Sequence, residues 1–124
     1  MMELTKNRID ITTASDGSAT VYSDAILGVV HAVQIDIGTL ANTVDLTITC
    51  DASGLSQTLL ALSNVSASAI YYPRVPGNKP ADGTALNDTG YYVDASIIAG
   101  GRVKVVAAQG GNAKSGGVIV YYWE

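Results

Sequence analysis

The chain reads as an all-β protein: a single-domain antiparallel β-sandwich of the jelly-roll or Greek-key kind, with about eight or nine short strands. Three observations predict this. Apolar and polar residues alternate at a period of two in many short runs. Clusters such as SDG, QGG and KSGG fence those runs with turn-forming residues. No segment shows a helical repeat with capping residues at its ends.

The first runs are Leu4–Thr13 and Ser18–Ser23, separated by the SDG turn. Val29–Ile37 follows, with Val29, His31, Val33, Ile35 and Ile37 on one face and Val30, Ala32, Gln34 and Asp36 on the other. Gly38–Asn42 then supplies a hairpin connection to Thr43–Cys50. There Val44, Leu46, Ile48 and Cys50 face the core, and Thr43, Asp45, Thr47 and Thr49 face outward.

Gln57–Ser63 reads as a strand in which Thr58, Leu60 and Leu62 share a side, while the helical spacing of Leu55, Leu59 and Leu62 leaves a short helix as the competitor. Ser68–Tyr72, Tyr91–Ile98, Arg102–Ala108 and Val118–Trp123 complete the set. This strand content is well above the usual share of about 20–25%. Between Tyr72 and Tyr91, Pro73–Gly90 is the longest stretch without strand character and holds all three prolines. Loops of that length are uncommon in compact domains and tend to carry function.

A length of 124 residues suits one domain, residues 1–124, with a possible N-terminal arm at 1–8 and the long loop at 73–90. The formal net charge is -4 and the seven Lys and Arg are dispersed, which argues against nucleic acid as a partner. The lone cysteine, Cys50, has no partner for an internal disulfide. The opening MMELTKNRIDITT lacks the apolar core of a signal peptide, and no run approaches the roughly 18 apolar residues of a membrane span. The expectation is therefore a soluble protein with no membrane partner, assembled in a cytoplasm.

Chemistry is sparse. A nucleophilic dyad would have to join the single His31 to Cys50, and both read as core residues. One His and one Cys cannot build a structural zinc site. Asp82, Asn87, Asp88 and Asp51 do not match the spacing of an EF-hand loop. The glycine pairs Gly100-Gly101, Gly110-Gly111 and Gly116-Gly117 read as turns rather than phosphate loops. No cofactor, no metal and no enzymatic activity are expected.

The aromatic residues are the informative ones. Six of seven tyrosines come as doublets, Tyr71-Tyr72, Tyr91-Tyr92 and Tyr121-Tyr122, in a chain without phenylalanine. Neighbouring side chains in a strand point to opposite faces, so each doublet sends one ring to the core and one outward. The last strand extends the point, with Val118, Val120 and Tyr122 on one side and Ile119, Tyr121 and Trp123 on the other. A strand that is apolar on both faces calls for cover on both, supplied by a second subunit or by the chain's own loops. Tyrosine suits such interfaces because it joins apolar area to a hydroxyl.

The order of the segments IDITTASDGSATVYSD, GVVHAVQIDIGTLANTVDLTIT, LLALSNVSASAIYYPR and GRVKVVAAQGGNAKSGGVIVYYWE resembles a family of small virion proteins of tailed bacteriophages. The likeness spans nearly the whole chain, and SNVSASAIYYPR and GRVKVVAAQGGNAKSGG are its most specific pieces. It implies a structural virion protein, and the commonest role among such small β-rich proteins is capsid decoration. A decoration (cement) protein would sit on the outer capsid surface, bind the major capsid protein and itself as a homo-oligomer, trimer or dimer, and stabilise the head.

The residues expected at subunit or capsid contacts are Tyr71, Tyr72, Arg74, Tyr91, Tyr92, Tyr121, Tyr122 and Trp123, with Lys6 and Arg8 from the N-terminal stretch. A carbohydrate-binding sandwich using Tyr72, Tyr91 or Trp123 is the alternative, and a tail or neck component is another.

Overall fold

Branched Val, Ile and Thr side chains favour extended backbone, and the runs richest in them become long strands. The computed structural model describes residues 3–52, 55–76, 92–94 and 96–124. These contain β1 (Leu4–Thr12), β2 (Ala19–Tyr22), β3 (Ile26–Asp36), β4 (Val44–Ala52) and β5 (Leu55–Val65). They continue with β6 (Ala69–Tyr71), β7 (Arg74–Pro76), β8 (Tyr92–Asp94), β9 (Ser96–Ala108) and β10 (Ser115–Trp123), and with no helix among the described residues.

Pairing is nested throughout. β1 pairs with β10, β2 with β9, β3 with β6 and β4 with β5, all antiparallel. That is the pattern of a long hairpin rolled on itself, the jelly roll, with the short β7–β8 ladder inserted between β6 and β9. One layer has the order β1-β10-β3-β6 and the other β2-β9-β4-β5. The layers join where the start of β3 pairs with the start of β9, from Ile26↔Gly101 to Val29↔Ser96.

The core lies between the layers. Ile9, Ile11, Val30, Val33, Ile35, Val118, Val120 and Tyr122 from the first layer form one cluster with Leu46, Ile48, Cys50, Val103, Val105 and Ala107 from the second. β4 follows the expected alternation, with Val44, Leu46, Ile48 and Cys50 buried. The Gln57–Ser63 segment is a strand, as read, and its helical spacing is a by-product of a bulge. Leu60 opposes Ile48 and Thr58 opposes Thr49, so Leu59 is the extra residue and turns inward to 8% exposure.

Three expectations are corrected. Leu4–Arg8 is not an extended arm: it is the first half of β1, paired with Ile119–Trp123. An apolar strand such as β10 needs hydrogen-bond partners on both edges, and β1 supplies one of them along its full length. The ladder even continues past it, through reciprocal bonds between Glu3 and Glu124 at 3.3 and 3.1 Å. The long loop begins later than expected, because Arg74–Pro76 is strand β7, opposite Tyr92–Asp94. The expected runs Tyr91–Ile98 and Arg102–Ala108 divide differently, since β9 is continuous from Ser96 to Ala108. The remainder of the expected loop lies outside the described residues.

One end of the sandwich is tied by Thr13. Its hydroxyl donates to the Gly111 carbonyl at 2.6 Å and accepts from the Lys114 amide at 2.9 Å. In the β1–β2 turn, the Asp16 carboxylate accepts from the Ser18 amide and hydroxyl at 3.0 and 2.7 Å, which holds its pKa below the ordinary value. Gly38 turns out of β3 at φ +50, where an added Cβ would overlap the Ser115 carbonyl.

Candidate functional site

The outward face of the β1-β10-β3-β6 layer is set by register. Leu4, Lys6 and Arg8 on β1 lie opposite Trp123, Tyr121 and Ile119 on β10. Tyr121 and Ile119 lie in turn opposite Ala32 and Gln34 on β3, and Gln34 opposite Ile70 on β6. One half of this face is aromatic and apolar, and the other is charged.

His31 sits in the aromatic half because of a bulge. Tyr121 pairs with Ala32 and Tyr122 with Val30, which leaves His31 as the additional residue of β3. Strict alternation places His31 on the core side with Val33 and Ile35. The bulge reverses the phase, so Val30, Val33 and Ile35 point inward and are fully buried, while His31 is half-buried against outer-face rings. It meets Tyr72 and Trp123 edge-on, each with ring centroids 5.8 Å apart. Cys50 is buried in the core, so the two residues of the candidate dyad belong to opposite sides of a sheet layer.

Arg74 closes one side. Its Nη1 donates to the His31 carbonyl at 3.0 Å and to the Pro73 carbonyl at 2.7 Å, and its guanidinium carbon lies 5.7 Å from the Tyr72 ring centre. The Tyr121 hydroxyl donates to Gln34 Oε1 at 2.8 Å, which ties the side chain on β10 to β3. A groove of about 230 Å³ runs between Leu4, His31, Ala32, Ile70, Tyr72 and Tyr121. Of the large apolar residues most exposed among the described ones, Leu4, Ile70 and Tyr72 all line it.

The charged half is built around Arg8. Its side chain lies across Gly117, where an added Cβ would overlap the guanidinium, and reaches Asp36 at 3.0 Å while also binding Asp10 at 2.8 Å. Hydrogen bonds to Asp10 and Asp36 raise the Arg8 pKa further above its already high value. Arg8 is thus engaged within its own chain, and Lys6 stands exposed beside the groove.

The expected contact residues therefore separate into three groups. Tyr72, Arg74, Tyr121, Trp123, Lys6 and Arg8 share the outer face. Tyr71 packs half-buried against the core and Tyr122 is 8% exposed within it, so both described doublets place one ring on each side. Of the third doublet, Tyr92 lies in β8 opposite Pro76, and Tyr91 lies outside the described residues. Burial raises the Tyr122 pKa, with smaller contributions from the Glu124 and Asp24 charges. The outer side of β10 is half-buried within the single chain, since Gln34 and His31 flank Tyr121 and Trp123 and Arg8 lies opposite Ile119.

His31, Gln34, Leu4 and Ile70 were not expected here. Leu4 and Ile70 follow from the alternation once the strand limits are known, but His31 needs the bulge. On the second layer, Arg102 lies 3.9 Å from the centre of the Tyr22 ring, with Asp51 opposite Arg102 and Lys104 opposite Tyr22. Among the described residues no group of three or more His, Cys, Asp or Glu could hold a metal ion, and no helix is long and apolar enough to cross a membrane.

No family model matches the chain, and no curated protein matches it. Among solved structures it is similar to one described as the crystal structure of FLHE, at 13% identity over 96% of each chain and a TM-score of 0.40. A likeness at that level carries no argument about function.

Proposed function

We propose that this chain is a structural virion protein that decorates the outside of a tailed-phage head and stabilises it by docking on the major capsid protein. The observation that supports this reading most is the aromatic half of the outer face. His31, Tyr72, Tyr121 and Trp123 gather there with Arg74 around a shallow apolar groove. Tyr, Trp and Arg are the residues that carry binding energy at protein interfaces. A jelly roll that keeps such a cluster outside its own core is built to bind rather than to react.

The mechanism is linkage. A protein that binds only the mature lattice stabilises it by RT ln(1 + [L]/Kd), about 2.7 kcal/mol at a hundredfold excess over Kd. The test is co-sedimentation with heads stripped of the protein. Tyr72 is 57% exposed, so Tyr72→Ala leaves the fold intact. It is expected to weaken head binding at least about tenfold, as loss of an aromatic anchor does. Unchanged sedimentation of the variant overturns the assignment of this face.

A carbohydrate-binding reading is favoured by one feature, the exposed Tyr72 ring beside the groove, on which a sugar ring could stack. It predicts that host polysaccharide changes the fluorescence of Trp123, the single tryptophan, and that Tyr72→Ala removes the change. No response to polysaccharide counts against it.

A further inference from the structure

Between Asp51 and Arg74 the sequence contains no Asp, Glu, Lys, Arg or His, the longest such interval in the chain. The topology gathers that interval into one place. β5 is an outer strand of one layer and β6 an outer strand of the other; among the described strands β5 pairs with β4 alone and β6 with β3 alone. The turn 66–68 joins them, so the described part of the uncharged interval forms one flank of the sandwich, along an edge of each layer that no described strand covers.

The opposite flank is of another kind. β1 presents Lys6, Arg8 and Asp10 along its outer face, and its neighbour β2 is four residues long. Charged side chains and short strands are the usual means by which sheet edges are kept from pairing with other chains. β5 has neither. It runs for eleven residues, LSQTLLALSNV, without a charge or a proline, and its bulges are the one protective device it carries.

Charge decides which partner suits this flank. Two copies of a chain with net charge -4 repel wherever their charged surfaces meet. The uncharged flank is where a copy can approach without bringing like charges together, and homo-oligomeric interfaces are depleted in charge at their cores in the same way. We infer that the Leu55–Ala69 part of this flank, centred on the edge of β5 that no described strand covers, is the surface through which this chain associates with a second copy of itself. This surface lies beside the aromatic groove and does not depend on what the groove binds.

Light scattering on the purified full chain tests it. The wild-type protein is expected to show a mass that is a multiple of the 12.8 kDa protomer. Ala61 on β5 and Ala67 in the following turn are both exposed, so Ala61→Glu and Ala67→Glu place a repelling charge on the flank without disturbing the core. Both variants are expected to fall to the protomer mass with circular dichroism unchanged. Thr20→Glu, an exposed change on β2, is expected to retain the wild-type mass. A wild-type protein that stays at the protomer mass at all concentrations overturns the inference, as do flank variants that assemble like the wild type. Neither outcome touches head binding through the aromatic face, which sedimentation reads separately.

Discussion

His31 and Tyr122 show how much a single position depends on one bulge. They are close in the β3–β10 ladder, yet the bulge sends the histidine outward to the aromatic cluster and leaves the tyrosine in the core. Tyr122 carries a pH consequence. Burial raises its folded-state pKa above the unfolded value of about 10. The folded state then holds the proton more tightly, so the associated stability is full below the unfolded pKa and is lost as pH rises through the folded one. Thermal unfolding is expected to shift to lower temperature above about pH 10, and Tyr122→Phe is expected to flatten that alkaline limb. An identical alkaline profile in the variant would assign the loss to other groups. Gly38 gives a second residue-scale expectation: Gly38→Ala combines a left-handed backbone with overlap of the Ser115 carbonyl. Destabilisation by about 1–3 kcal/mol, read by denaturant titration, follows from strain of that kind.

At the scale of elements, the sequence was legible wherever the period of two runs unbroken. β4 and β10 show it: Val44 to Cys50 alternate as read, and Val118, Val120 and Tyr122 face inward while Ile119, Tyr121 and Trp123 face out. Legibility ended at irregularities. In β3 the bulge at His31 reverses the phase of an otherwise correct pattern, and in β5 the bulge at Leu59 mimics helical spacing. A bulge adds one residue to one strand only, and its signal lies in the pairing, not in the strand's own sequence. The same reasoning explains β1. Nothing in Leu4–Arg8 itself distinguishes an arm from an edge strand, and the need of β10 for a partner settles the matter. The uncharged interval from Ala52 to Pro73 was readable as composition, but its meaning depends on the topology that makes β5 and β6 the outermost described strands of their layers on that side.

For the whole molecule, the jelly roll distributes three surfaces around one core. The aromatic groove occupies one layer's outer face, the uncharged flank runs along β5 and β6, the outermost described strands on that side, and the remaining surface carries most of the charge of the described residues. Tyrosine doublets tie the first of these to the core, since one ring of each described pair anchors the strand while the other serves the outer face. The proposed decoration role uses this division: one surface for the shell and one for its own copies. The measurement that tests the account most directly is electron microscopy of phage heads carrying the wild-type protein, compared with heads lacking it. The account predicts added density on the outer shell that fits the jelly roll with His31, Tyr72 and Trp123 turned toward the capsid. Density confined to the tail, or a shell-bound protein with that aromatic face turned to solvent, would contradict it.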